Sequence, residues 1–181
     1  MVQLAHEYRS LNPHIEDIAR RLALDNFIAA APDALFPLGG YRGDDDKARD
    51  LFGKLDQTWT REDFVSAAAY ALSITGGNGK LGCVDLCYGG GMVNLLATRV
   101  PKLLAGAPFY GAPAPSDRAS RINAAWPAYE VALKSAGVRH AAFKYAGTQH
   151  GFNNDTTPRF DAAAAQLAWA RTLALFDRTL R

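Results

Sequence analysis

The chain has little cysteine, no long apolar run and no cluster of basic residues, and each shortage removes a class of function. Cys83 and Cys87 are the only cysteines among 181 residues, too few for a disulfide framework. The reducing cytoplasm is the compartment expected on that ground. No apolar stretch approaches the length of a bilayer span, so no membrane partner is expected. The N-terminus, MVQLAHEYRS, lacks a charged start followed by a long apolar run, so no secretory signal is expected. A formal net charge of +2, without a basic run or basic residues interleaved with aromatics, leaves no footprint for nucleic acid. Internal repeats, low-complexity segments and linkers are also missing, so one domain over residues 1–181 is the simplest organisation.

What is present is a regular alternation of elements. Apolar residues make up 49% of the chain, enough for a folded core. LNPHIEDIARRLAL reads as a helix capped by Asn12, with Pro13 in its first turn and Ile15, Ile18, Ala19 and Leu22 on one face. NFIAAAPDAL reads as a short buried strand, and DDDKARDLFGKLDQ and REDFVSAAAYALSI as helices. LGCVDL and AGAPFYGA are strands on either side of a helix over GGMVNLLATR. WPAYEVALKSAG predicts a helix with Pro127 in its first turn, and VRHAAFKYAG a further strand. A long closing helix follows, capped by Thr157 with Pro158 next. Strand–helix alternation of this kind predicts a three-layer α/β sandwich with a mostly parallel sheet. Reactive groups in such folds lie at the carboxyl ends of the strands. Three loops after strands carry them: His6-Glu7, Cys87 and His150.

Residues 82–90 read GCVDLCYGG. Strand, then Cys-Tyr-Gly-Gly, then helix is the layout of a nucleophile elbow, in which a strained turn lifts the reactive side chain above the sheet. Gly89 and Gly90 supply the room, and the next helix points its positive end at the thiol. Asp85 stands where such turns carry a small residue. Two readings of Cys87 are open on this stretch alone: a nucleophile, or a buried structural thiol. Cys83 lies roughly 13 Å away along the strand, too far for a disulfide, and reads as core. No further ligand has a spacing that would make the pair a metal site. His150, in Ala-Gly-Thr-Gln-His-Gly-Phe, follows the nucleophile in the order an α/β-hydrolase base requires. A lone loop histidine is otherwise simply exposed. His6, His14 and His140 lack that company.

HEYRSLNPHIEDIARRLAL, APDALFPLGG, LCYGGGMVNLLAT, FYGA, INAAWPAYEVALK and HGFNNDTTPRFDAAAAQLAWARTLALF together resemble the dienelactone hydrolase family of α/β-hydrolases. The likeness runs through nearly the whole chain, in family order. It implies hydrolysis of small esters or lactones by a Cys-His-Asp triad, with no metal or organic cofactor. It implies Cys87 as nucleophile, His150 as base, and Glu7 as the glutamate that interacts with the cysteine and helps ionise it. The backbone N–H groups of Tyr88 and Tyr8 would then form the oxyanion hole.

The departures shape the remaining expectations. The chain is shorter than the family norm and starts inside the strand that carries His-Glu, so fewer strands are expected. Near Ser120-Arg121 the family has a strand ending in Gly-x-Asp, whose aspartate is the triad acid; here PSDRAS passes directly to RINAAWPAYE. Asp117 is the nearest substitute; its other reading is a solvated loop residue or helix cap. Asp155 is a more remote candidate. Tyr8-Arg9-Ser10 replaces the usual Asn-Arg-Gly. Arg9 and Arg42 flank the cleft and can grip a substrate carboxylate, or are ordinary surface arginines. Asp44-Asp45-Asp46 reads as a helix start rather than a metal cluster. Trp59, Trp126 and Trp169 read as packing residues, and Asn153-Asn154-Asp155 as a turn. An exposed sheet edge predicts a homodimer or higher oligomer. The expected activity is ester or lactone hydrolysis; the alternative is a hydrolase-like scaffold that binds without catalysing.

Overall fold

The computed structural model describes residues 1–110 and 119–181, and side chains at all of these except 89 and 119–124. Four strands form one parallel sheet: β1 (Val2–Ala5), β2 (Ala29–Ala30), β3 (Leu81–Leu86) and β4 (Leu103–Phe109), in the order β2-β1-β3-β4. Apart from the buried Gln3 of β1 and Asp85 of β3, their sequences are apolar rather than alternating, because helices cover both faces. β1 and β3 are fully buried. Val84 and Leu86 pack towards α1 (Pro13–Leu24) and α6 (Ala162–Leu180), with Ile15, Ile18, Leu22 and Phe176. Leu81 and Cys83 pack towards α3 (Gln57–Ser73) and α4 (Gly89–Arg99), with Phe64, Ala68, Met92 and Leu96. Two glycines allow the close approach. A Cβ at Gly82 would lie 2.7 Å from Leu180 of α6, and one at Gly106 would lie 2.5 Å from Val93 of α4.

Local chemistry accounts for the element ends. Asn12 accepts a hydrogen bond from the Ile15 N–H, and Pro13 follows it, as the sequence predicts. Asp44 caps α2 (Asp45–Phe52) by accepting from the N–H groups of Asp46 and Lys47, while Asp45 pairs with Arg9 and Asp46 with Arg49. The three aspartates therefore have separate partners. No helix among the described residues is long and apolar enough to cross a membrane.

Four expected elements differ. The strand over NFIAAAPDAL shrinks to Ala29–Ala30, because only Val2 and Gln3 of β1 offer it a ladder. VRHAAFKYAG forms no strand. A strand exists only where a neighbour completes its hydrogen bonds, and this segment docks through side chains instead. Arg171 of α6 lies over the Phe143 ring at 4.0 Å and donates to the Tyr145 hydroxyl. Helix α5 (Ala119–Ser135) begins before Trp126, so Pro127 is inside it rather than in its first turn. Helix α6 starts at Ala162, capped by Asp161 rather than Thr157. The Asp161 N–H donates to the Phe152 carbonyl, which holds residues 157–161 in turns before the helix can begin.

Candidate active site

The carboxyl ends of β1, β3 and β4 meet in one place. Cys87 follows β3 directly and has φ +62°, in the left-handed region that a non-glycine residue adopts only when its surroundings impose it. The surroundings are visible. Its N–H donates to the Phe109 carbonyl of β4 at 3.2 Å, and its own carbonyl accepts from Gly90 at 3.1 Å. The chain is thus tied to the sheet on one side and to the first turn of α4 on the other. Cys87 is half-buried and sits at the positive end of α4, which favours a thiolate. Ser10 (φ +59°) and Tyr110 (φ +39°), at the neighbouring strand ends, are in the same unusual region.

His150 Nε2 lies 3.2 Å from Cys87 Sγ, although 63 residues separate them. Covalent catalysis needs a contact of this length between a nucleophile and its base. Its loop is anchored from below. Phe152 enters the α1/α6 core, and Tyr110 contacts both rings, His150 at 5.0 Å and Phe152 at 5.5 Å between centroids. Gly151, at φ +84°, lets the chain turn between the two. Burial, with Glu7 and Cys87 adding negative surroundings, pushes the Tyr110 phenol well above its ordinary range, so it stays protonated.

Glu7 is buried, and its Oε2 accepts from Asn154 Nδ2 at 3.2 Å. Asn154 in turn accepts from the Thr156 N–H and hydroxyl. The turn Asn153-Asn154-Asp155 therefore does more than lead into the last helix: it ties the His150 loop to the Glu7 loop. Sequence reading missed this role, since nothing in Asn-Asn-Asp announces a partner 147 residues away. Asp155 faces α1, where it pairs with Arg21 at 2.8 Å and lies 3.3 Å from His14. Those partners hold its carboxyl below the ordinary range despite partial burial. Asp117 lies outside the described residues.

Tyr88, one of the two expected oxyanion residues, and His6 both meet one aromatic ring. Phe52, the last residue of α2, meets Tyr88 edge-on at 4.6 Å and His6 at 6.3 Å, and His6 adjoins the Glu7–Tyr8 peptide. The Tyr88 hydroxyl is fixed by Gln57 at 2.5 Å. Arg9 Nη1 is 2.9 Å from Asp45, which offsets the charge it would offer a substrate carboxylate. Arg42 turns its Nε onto the Gly39 carbonyl.

Asp85 is fully buried beneath α4, its Oδ2 3.4 Å from the Val93 N–H. Burial drives its carboxyl well above the ordinary range, against the pull of the Val93 and Phe109 backbone amides. Cys83 is likewise fully buried and its thiol is raised by that burial, so it is inert core, as its place on the strand implies.

The fold and the elbow define an α/β-hydrolase. The profile of the Dienelactone hydrolase family matches residues 1–132 and 128–180, and the chain belongs to that family. A protein of Escherichia coli (strain K12) named "Putative carboxymethylenebutenolidase" is 28% identical over 207 residues, covering 98% of this chain and 76% of that protein. A Synechocystis protein of the same name is 28% identical over 215 residues, covering 100% and 87%. "Putative hydrolase fragment YghX" of Escherichia coli (strain K12) is 54% identical over 57 residues only, 32% of this chain and 49% of that one. The crystal structure of a protein described as a "Putative Dienelactone Hydrolase" from Klebsiella pneumoniae superposes with a TM-score of 0.81 at 23% identity, covering 98% of this chain and 86% of that one. A "Dienelactone Hydrolase-like Promiscuous Phospotriesterase" from metagenomic libraries does so at 0.75 and 20%, covering 99% and 86%. The chain is therefore a hydrolase-family protein with the fold of these relatives.

Proposed function

We propose that this protein hydrolyses small carboxylic esters or lactones through an acyl-enzyme on Cys87. The observation that carries the reading is the 3.2 Å contact between His150 Nε2 and a cysteine in left-handed backbone at the start of a helix. His150 takes the thiol proton as Cys87 Sγ attacks the carbonyl carbon. The carbonyl oxygen becomes an oxyanion, received by the backbone N–H groups of Tyr88 and Tyr8. Collapse breaks the ester C–O bond, and His150 protonates the departing alkoxide, leaving a thioester. His150 then deprotonates water, which attacks the thioester, releases the carboxylic acid and restores the thiol. Glu7, held by Asn154 in a fixed orientation, is the proposed partner that helps ionise Cys87. Asp117 remains the proposed acid partner for His150. The chemistry draws on side chains and backbone amides alone, without metal or cofactor. Arg9 and Arg42 are the proposed contacts for a substrate carboxylate. A reducing compartment, the cytoplasm, suits a thiol nucleophile.

Protein quenched in acid during turnover of a slow aryl ester should carry the acyl group on the peptide containing Cys87. An acyl group found on another residue rejects the mechanism.

We also propose self-association across β4. Within the described residues it forms one edge of the sheet, and Leu104 on it is 52% exposed. Light scattering over a wide concentration range should give a dimer mass or more; a monomer mass throughout sinks this.

A further inference from the structure

We propose that His6, backed by Ser10 and Asp33, is a positioning residue that fixes the rotation of the Glu7–Tyr8 peptide and so aims the Tyr8 N–H of the oxyanion hole. This rests on the reading of Tyr8 as an oxyanion donor. The His6 ring is fully buried between Phe64, at 5.5 Å, and Phe52. Its Nε2 receives the Ala34 N–H at 3.1 Å. A backbone N–H only donates, so Nε2 carries a lone pair and the ring proton is on Nδ1. Nδ1–H then donates to the Glu7 carbonyl at 2.6 Å. That carbonyl takes a second bond from the Ser10 N–H at 3.1 Å.

The remaining contacts fix the loop that surrounds the ring. Ser10 Oγ lies 3.1 Å from His6 Nε2, donates to Asp33 Oδ1 and accepts from the Leu35 N–H. Leu35 N–H also reaches Asp33 Oδ1 at 2.9 Å. Ser10 has a left-handed backbone, so the loop folds back on His6. The Glu7–Tyr8 peptide is trans, which sets its N–H opposite its carbonyl. Two donors on the carbonyl therefore fix the direction of the Tyr8 N–H. The Ser-His-Asp grouping is a clamp rather than a second nucleophile: the serine hydroxyl proton goes to Asp33, and the histidine lone pair already receives Ala34.

The test separates oxyanion stabilisation from thiolate supply. Alkylation of Cys87 by iodoacetamide needs the thiolate and no oxyanion hole, and Cys83 is too buried to compete. His6→Ala should lower kcat for a short-chain aryl ester about tenfold to hundredfold, short of deleting a donor outright, with KM and the alkylation rate within about twofold of wild type. His6→Asn, which keeps an N–H near the Nδ1 position, should recover most of kcat. Should His6→Ala fail to fold by circular dichroism, Asp33→Asn decides: a fall in kcat at constant alkylation rate supports the clamp. A folded variant with wild-type kcat, or alkylation falling in step with kcat, overturns it. Wild-type turnover that does not depend on Cys87 marks a different failure, that of the hydrolase mechanism itself.

Discussion

Cys87→Ala should reduce kcat/KM for a short-chain aryl ester by about 10³-fold or more, with the fold intact. In the proposed mechanism alanine removes the atom that forms the acyl bond. What remains is binding and whatever the oxyanion donors contribute to direct attack by water. His150→Gln should cost about 10²–10⁴-fold, because the amide can still contact Sγ but cannot carry the proton. The double variant should be little worse than Cys87→Ala alone, since the two side chains act as a unit. Equal rates for wild type and Cys87→Ala would remove Cys87 from the mechanism. Additive losses in the double variant would show that His150 acts independently of the thiol.

The second large effect concerns stability. Asp85 is fully buried, and in the folded chain burial raises its carboxyl well above the 3.8 at which an exposed aspartate titrates. Between those two values the folded state keeps a proton that the unfolded state has released. Raising the pH therefore draws the equilibrium towards unfolding. The contribution is fully present below 3.8 and is lost as pH rises through the raised folded value. Across that window each pH unit removes about 1.4 kcal/mol. Asp85→Asn has the same shape, stays neutral at every pH and can still accept from Val93 and Phe109. Its melting temperature should match wild type near about pH 4 and exceed it as the pH rises above that. Parallel melting curves across this range would mean that Asp85 carries no such linkage. In the sequence this residue stands out as a poor fit to the elbow; in the structure the misfit has a stability cost that depends on pH.

Local chemistry was legible in the sequence because it depends on neighbours along the chain. Asn12 and Pro13 start a helix wherever they occur before an amphipathic run, and an apolar strand followed by Cys-Tyr-Gly-Gly turns sharply into the next helix. The order of Cys87 and His150, and the family resemblance, followed from the same string, and so did the core position of Cys83. VRHAAFKYAG shows the limit. Its composition favours a strand, but a strand also needs a partner, and its aromatic side chains found Arg171 instead. Partners distant in sequence were decided by the tertiary structure alone. It places His150 against Cys87, Asn154 on Glu7, and Ala34 and Asp33 around His6 and Ser10. Each of these contacts joins loops far apart in the sequence, and their spacing is set by the packing of the sheet between its helices, a quantity no local pattern encodes.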